Sequence, residues 1–480
     1  MVRLNHACLK FKYIYTYICL LYDHHPVPHR RYSIMGKMKT QKIMILSYPN
    51  QGHINPSLRF AYRLLNMGVD VTICTSYSII RRIDIQTTYP GLTFATFSDG
   101  HDNGHQPTTT QKQFISDFTT NGSLAVAKII TNAAAAGQPF DHLVYTTVVS
   151  WGATVAKAHG LKSTLLWCQS ATILGIYYHY FNGYEDLISS TSKNSKPIKL
   201  PGLPSLTIDD FPPFMLSSCT RKDDIALEFM KEHIDELKIV PRVLVNTFYE
   251  LEIEPIRAME KIVMLPVGPL VPPEILDNSL KCDLFEKPKE DYIGWLNTKS
   301  KSSVVYVSFG SLSTFSMDQL EEIASGLLES GRPFLWVIRD INQSAKLSNL
   351  EELNKQGMIV GWCSQVEVLN HQATGCFVTH CGWNSTTEVL AAGVPAVGFP
   401  LWTDQATNAK MIEDVWKSGV KVKRNEGNEM VEGKEIKRCL EIVMEDARMK
   451  KNAEKWRDIA REAVTNGGSS VVNLQAFLDM

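Results

Sequence analysis

The chain reads as an α/β protein of two Rossmann-like halves facing one another across a cleft. An early strand, helix, strand unit points there, as do two series of short apolar strands alternating with helical spacing and a proline-rich stretch between the series. Residues 43–48 form a short apolar run and 49–53 a turn. Residues 56–67 have helical spacing in Leu58, Ala61, Leu64 and Leu65, and a second apolar run follows at 69–74. Such a unit requires parallel strands joined by a right-handed crossover. Further buried strands are predicted at 143–145, 164–167 and 243–246, in the same sheet. The stretch 265–273 has the composition of an interdomain connection. Beyond it, 303–308, 334–338, 358–360, 376–379 and 396–399 read as strands, alternating with helices such as 317–328. Ligands of open parallel sheets bind beyond the carboxyl ends of the strands. Chemistry is therefore expected in the loops at 49–55, 308–314, 361–365, 380–385 and 400–405.

A length of 480 residues exceeds what one core usually covers. With 49 basic against 50 acidic side chains, no polyanion-binding surface is built on net charge, so nucleic acid is not an expected partner. Ten scattered cysteines do not make a secreted disulfide scaffold, and reduced thiols in a cytoplasmic protein are expected. The apolar run at 13–22 is shorter than the roughly 20 residues that span a bilayer, so no stable membrane insertion is expected. Residues 1–37 read as a non-folding extension, with Met35 or Met38 as the natural start. A glycosylation sequon at Asn384-Ser385-Thr386 falls inside the segment assigned below to the active site, which again favours the cytosol.

Familiar phosphate motifs are missing. The chain contains no Gly-x-Gly, so the dinucleotide fingerprint is absent and a nicotinamide enzyme is not expected. Gly326 and Gly331 have P-loop spacing, but Arg332-Pro333 follows and the segment ends a helix instead of opening one. Cys363, Cys376, His380 and Cys381 do not make a metal site, because strand alternation puts Cys381 on the face opposite Cys376 and His380. The segment CFVTHCGWNSTTEVL at 376–390 is different. A buried strand ends at His380, Gly382 permits a sharp turn, and Ser385-x-x-Glu388 has capping-box form before a helix closed by Gly393 and Pro395. Free backbone N–H groups near Trp383, Asn384 and Ser385 would face a phosphate, with His380 as a further donor. The same residues also fit an ordinary turn whose serine and glutamate only cap the helix.

The 44-residue window WCSQVEVLNHQATGCFVTHCGWNSTTEVLAAGVPAVGFPLWTDQ, from Trp362 to Gln405, resembles the signature box of plant UDP-glycosyltransferases of secondary metabolism almost position for position. The resemblance extends through YPNQGHINPSLRFAYRLL, GLTFATFSDGHDNG, YYHYFNGYEDLI, VLVNTF, SSVVYVSFGS and the final GGSSVVNLQAFL. It is similar above all to the branch of anthocyanin 5-O-glucosyltransferases, crocetin glucosyltransferases and auxin ester-forming enzymes. By that resemblance the fold is of GT-B type. The acceptor half spans 38–264, a linker 265–290 and the nucleotide-sugar half 291–460, and a C-terminal helix in 461–480 packs back on the first half.

Carried onto matching positions, the resemblance implies that Trp362 stacks on uracil, the Cys363 backbone reads its edge, and Gln365 and Glu388 take the ribose hydroxyls. His380, Asn384 and Ser385, helped by Ser311, would hold the diphosphate, and Asp404 and Gln405 would grip the sugar. Gln405 at the end of the box goes with UDP-glucose as donor. No metal cofactor is expected, and the chain has no Asp-x-Asp to chelate one. The residue types suit these tasks: an indole offers a flat face to a base, and acceptor-rich side chains clasp vicinal hydroxyls.

One displacement at an α-linked sugar inverts the anomeric centre and needs the acceptor proton removed. His53, in QGHINP after the first strand, is the expected base. Many relatives place an aspartate after the strand at 143–145 to support that imidazole. Here Thr146 stands in its place, with Thr147 beside it. A hydroxyl can orient a ring but not stabilise its charge, so the expected acceptors are acidic themselves: phenols, as in flavonoids and anthocyanins, or carboxylic acids such as crocetin and auxins. Residues 97–101 and 176–181 either line the acceptor pocket or pack the core.

Overall fold

The computed structural model describes residues 41–81, 89–104, 106, 108–192, 195–216, 225–273, 275, 290–311, 313–424 and 430–480. The extension expected at 1–37 and most of the linker beyond residue 273 lie outside the described residues. The first sheet is built from β1 (Lys42–Leu46), β2 (Asp70–Ser76), β3 (Leu92–Phe97), β4 (His142–Thr146), β5 (Lys162–Trp167), β8 (Arg242–Val245) and β9 (Val263–Pro266), all parallel, in the order β3-β2-β1-β4-β5-β8-β9. A short antiparallel pair, β6 (Ile198–Lys199) and β7 (Ser205–Leu206), stands apart from it. The second sheet comprises β10 (Val304–Ser308), β11 (Phe334–Val337), β12 (Met358–Val360), β13 (Thr374–Thr379), β14 (Ala396–Gly398) and β15 (Gly419–Lys421), again all parallel, in the order β12-β11-β10-β13-β14-β15. Strands covered on both faces read as unbroken apolar runs, which is why most were visible in the sequence. The linker expected from residue 265 overlaps β9, which is the edge strand of the first sheet, with Val263 exposed and Met264, Leu265 and Pro266 buried.

Six helices matter for the site: α1 (Gln51–Asn66), α2 (Ala226–Ile239), α3 (Met317–Glu329), α4 (Trp383–Ala392), α5 (Gln405–Lys410) and α6 (Ser469–Leu478). α1 starts earlier than its hydrophobic spacing suggests, because the Asn50 side chain accepts the Gly52 N–H and caps it. His53 therefore sits in a helical first turn. α3 ends where Gly331 takes a positive φ of 64°, so the glycine pair at 326 and 331 is a helix stop.

Both strand orders reverse beside the first strand of their sheet: between β1 and β4 in one, between β10 and β13 in the other. Register carries Ser308 level with Thr379 and Leu46 level with Tyr145, so the loops after these four strands emerge side by side. Such switch points open a crevice at the carboxyl edge. The halves are also fastened through apolar contacts. Phe248 and Leu251, which follow β8, belong to the core of the second half. Leu474 and Phe477 of α6 return to the core formed by β1, β2 and α1, and Asn473 Nδ2 donates to Pro266 O at 2.9 Å.

Candidate active site

The loops from both switch points line one cavity of about 2690 Å³. From the first half it receives His53, Arg59, Thr147, Val148, Gln169, Tyr177 and Phe214. From the second it receives Ser311, Trp362, Cys363, Gln365, His380, Trp383, Asn384, Ser385, Glu388, Asp404 and Gln405. All the residues expected from the sequence except Thr146 therefore meet in one crevice.

His53 reaches it from the first turn of α1. Its ring packs edge-on against Tyr48, 5.3 Å between centroids, and its buried Nδ1 has no hydrogen-bond partner among the described residues. Burial pushes its pKa down to about 4, with no carboxylate pulling it back up. The expectation for Thr146 is corrected here. Its side chain is fully buried and its hydroxyl accepts the Tyr48 N–H at 3.2 Å, tying the end of β4 to the end of β1, so it neither lines the cavity nor orients the imidazole. Thr147 and Val148 line the cavity instead. Val148 is β-branched yet has a φ of 75°, a strained backbone for such a side chain. Its N–H donates to Nε2 of the fully buried His233 on α2 at 2.9 Å. That bond fixes the His233 tautomer, and burial holds the ring neutral with its pKa pushed down to about 3.

On the other side, α4 begins at Trp383 with Gly382 as its cap residue. The capping box expected from Ser385 and Glu388 does not form, because the helix starts before Ser385 and puts that residue inside its first turn. Instead Gln365 Nε2 donates both to Ser385 Oγ at 3.0 Å and to Glu388 Oε2 at 2.6 Å. The first-turn N–H groups of α4 lack intrahelical acceptors and form the positive end of its dipole. Trp383 contributes only backbone, since its indole N–H donates to Asn246 O at 2.6 Å and its ring packs near Trp416.

His380 follows β13 directly. Burial pushes its pKa down to about 4, and its Nδ1 is buried without a partner among the described residues. Its ring is gripped by two glycines: a Cβ on Gly310 would lie 2.7 Å from the ring and one on Gly382 2.5 Å from Nε2. Gly310 also has a φ of +76°. Gly310→Ala therefore strains the backbone and drives a methyl into His380. We expect at least about a tenfold loss of UDP affinity with the fold retained, read by calorimetry beside a thermal melt.

Gln405 and Asp404 are also held in place. Gln405, on the cavity wall, accepts the backbone N–H groups of Leu401 and Trp402 on Oε1 at 2.8 and 3.0 Å, so its amide Nε2 is the group it can offer as a donor. Asp404 accepts from Thr403 Oγ1 at 2.7 Å and Asn408 Nδ2 at 2.8 Å, and burial raises its pKa. Trp362 lies half-buried on the wall beside buried Cys363. Ser311 lines the loop after β10, its carbonyl accepting from Arg339 at 2.9 Å.

Sequence reasoning missed Arg59, Gln169 and Phe214. The pair Arg59 and Arg63, four apart on α1, was a legible signal: both reach carbonyls of the connecting segment, at Leu270 for Arg59 and at Val267 and Pro269 for Arg63. Of the aromatic stretches, Tyr177 lines the cavity and stacks on Phe214, 6.2 Å between centroids, while Phe97 and Tyr180 pack the core. Among the described residues no His, Cys, Asp and Glu cluster could hold a metal, and no helix is long and apolar enough to cross a membrane.

A family model described as UDP-glucoronosyl and UDP-glucosyl transferase matches residues 231–464. UDP-glycosyltransferase 75C1 of Solanum lycopersicum is 50% identical over 91% of this chain and 97% of its own. The chloroplastic crocetin glucosyltransferase of Gardenia jasminoides is 47% identical over 92% and 98%, and the anthocyanidin 3-O-glucoside 5-O-glucosyltransferase of Verbena hybrida 44% identical over 92% and 99%. The crystal structure of Os79 from O. sativa in complex with UDP superposes with a TM-score of 0.81 at 31% identity, covering 91% of this chain and 99% of that one. With a GT-B pair of Rossmann-like sheets, one shared crevice and relatives of this identity over nearly their whole length, the chain belongs to the UDP-glycosyltransferase family and is an enzyme of it.

Proposed function

We propose that the protein is an inverting UDP-glucose-dependent O-glucosyltransferase for small plant secondary metabolites whose acceptor group is acidic, with a flavonoid or anthocyanin phenol as the first choice. The observation that carries the reading is the placement of His53 and the α4 terminus on one cavity, with no carboxylate partner for the imidazole among the described residues. The donor lies with uracil against Trp362, its ribose on Glu388 and Gln365, and its diphosphate over α4 and His380. His53 takes the acceptor proton as the acceptor oxygen bonds to the anomeric carbon from the face opposite the phosphate. The bond from that carbon to the phosphate oxygen breaks, and UDP leaves with its new charge on the α4 N–H groups and His380. A histidine pushed down to about 4 is a weak base, so it serves oxygens that give up a proton easily.

The test is incubation with UDP-glucose and a panel of phenols, carboxylic acids and aliphatic alcohols, read by mass for the addition of one hexose. Phenols are expected to react fastest; equal rates on simple aliphatic alcohols would contradict the reading. Glucose-ester formation on a carboxylic acid is the second reading, favoured by the identity to a crocetin glucosyltransferase, and the same panel separates the two. Catalysis without a metal is part of the proposal, since the diphosphate donors assigned above are all protein groups. EDTA is expected to leave the rate unchanged, and loss of activity restored by Mg²⁺ would contradict this. The six described cysteines, free and buried, suit a reducing compartment, and we place the protein in the cytoplasm.

A further inference from the structure

Glu388, assigned above to the ribose, is held from across the cleft. Its Oε1 accepts from Arg59 Nη2 at 2.8 Å, and its Oε2 accepts from Gln365 Nε2 at 2.6 Å. The Arg59 and Glu388 side chains are only 13% and 7% exposed, and both line the cavity. Arg59 is itself anchored, with Nη1 donating to Leu270 O at 3.1 Å. A second tie lies one turn away. Pro56 has no N–H to offer the Gly52 carbonyl four residues earlier, and Asn384 Nδ2 donates to that carbonyl at 3.2 Å. Asn384 and Glu388 are four apart on α4 and so share a face. α4 therefore grips α1 at two points, one beside His53 and one about 9 Å along the axis from it.

We propose that Arg59 is a positioning residue that completes the ribose site from the acceptor half, so that the nucleotide pocket is composite. The inference rests on the donor-site reading above. A carboxylate buried next to a diphosphate would repel it; the guanidinium neutralises Glu388 and fixes its rotamer, leaving lone pairs on both oxygens for the two ribose hydroxyls. The same contact holds α1, and with it His53, at a set angle to the nucleotide.

The experiment is a double-mutant cycle on the full chain, reading UDP affinity by calorimetry and the KM for UDP-glucose and for acceptor separately. Arg59→Met should weaken UDP and raise the UDP-glucose KM by about tenfold or more, leaving the acceptor KM within about twofold; Arg59→Lys should fall between. In a Glu388→Gln background the Arg59→Met change should cost less than about threefold, because the charge it neutralises is gone. Unchanged UDP affinity in Arg59→Met, or losses that simply multiply, overturns the inference alone. Failure of the wild type to bind UDP overturns the donor-site reading and this inference with it. Should Arg59→Met not fold, the cycle is run with Arg59→Lys, whose loss must likewise shrink in the Glu388→Gln background.

Discussion

His53→Ala should lower kcat/KM for a phenolic acceptor by about 10²–10⁴-fold while UDP affinity stays within about twofold. The separation follows from position. His53 stands in the first turn of α1, and the groups assigned to the nucleotide stand on the second half and at Arg59, six residues further along α1. A mutant that also lost UDP binding would show that α1 had collapsed, and one that kept full rate would remove the imidazole from the reaction. The pH dependence follows with a definite sign. A base works unprotonated, and burial pushes His53 down to about 4, so kcat/KM should stay level as pH falls from 8 through 6.5 and bend only near 4. Stability behaves differently. His53, His142, His233 and His380 are all pushed down to about 3 or 4 by burial. Their unfolded forms bind protons below about 6.5 that the folded forms refuse, so stability is full above that value and is lost as pH falls toward 4. Fully buried His233 alone contributes a slope of about 1.4 kcal/mol per pH unit in that window. The unfolding midpoint in urea should therefore fall between pH 6.5 and 5 while kcat/KM does not.

His380→Ala should lower kcat by about 10²–10³-fold, the loss typical of removing one fixed donor from a developing oxyanion. The pocket is ready for such a role: the ring lies between Gly310 and Gly382 with Nδ1 buried and unpartnered. The effect should be larger with UDP-glucose than with a sugar donor carrying a better leaving group, because only a poor leaving group needs its charge held. His380→Gln, which keeps a donor at similar reach, should recover part of the rate. An equal loss for both donors would assign His380 to packing alone.

Much of this was legible in the sequence. Apolar runs such as 303–308 and 376–379 mark strands buried on both faces, and β10 and β13 are found there. The window from Trp362 to Gln405 holds every expected donor residue but Ser311 within one continuous stretch, so local order sufficed to find them. Contacts between halves were not legible. Thr146 aligned with the usual aspartate, yet the β1 to β4 register turns its hydroxyl to the Tyr48 N–H, a pairing that sequence spacing does not encode. Arg59 and Glu388 lie far apart in the chain and meet only when both sheets are built. Ser385 and Glu388 matched a capping box but lie inside the helix, because Gly382 opens it earlier than side-chain preference suggests. β9 was hidden because Pro266 and the prolines that follow it resemble those of a linker.

The most direct measurement is a crystal structure with a non-transferable UDP-2-fluoroglucose and a phenol bound together. The base needs about 3 Å to the acceptor oxygen, and that oxygen about 3 Å to the anomeric carbon. The account predicts the phenolic oxygen between His53 and the sugar, with the imidazole about 6 Å from the anomeric carbon and uracil on Trp362. A hexose directed away from His53, with no acceptor-sized space between them, would contradict it.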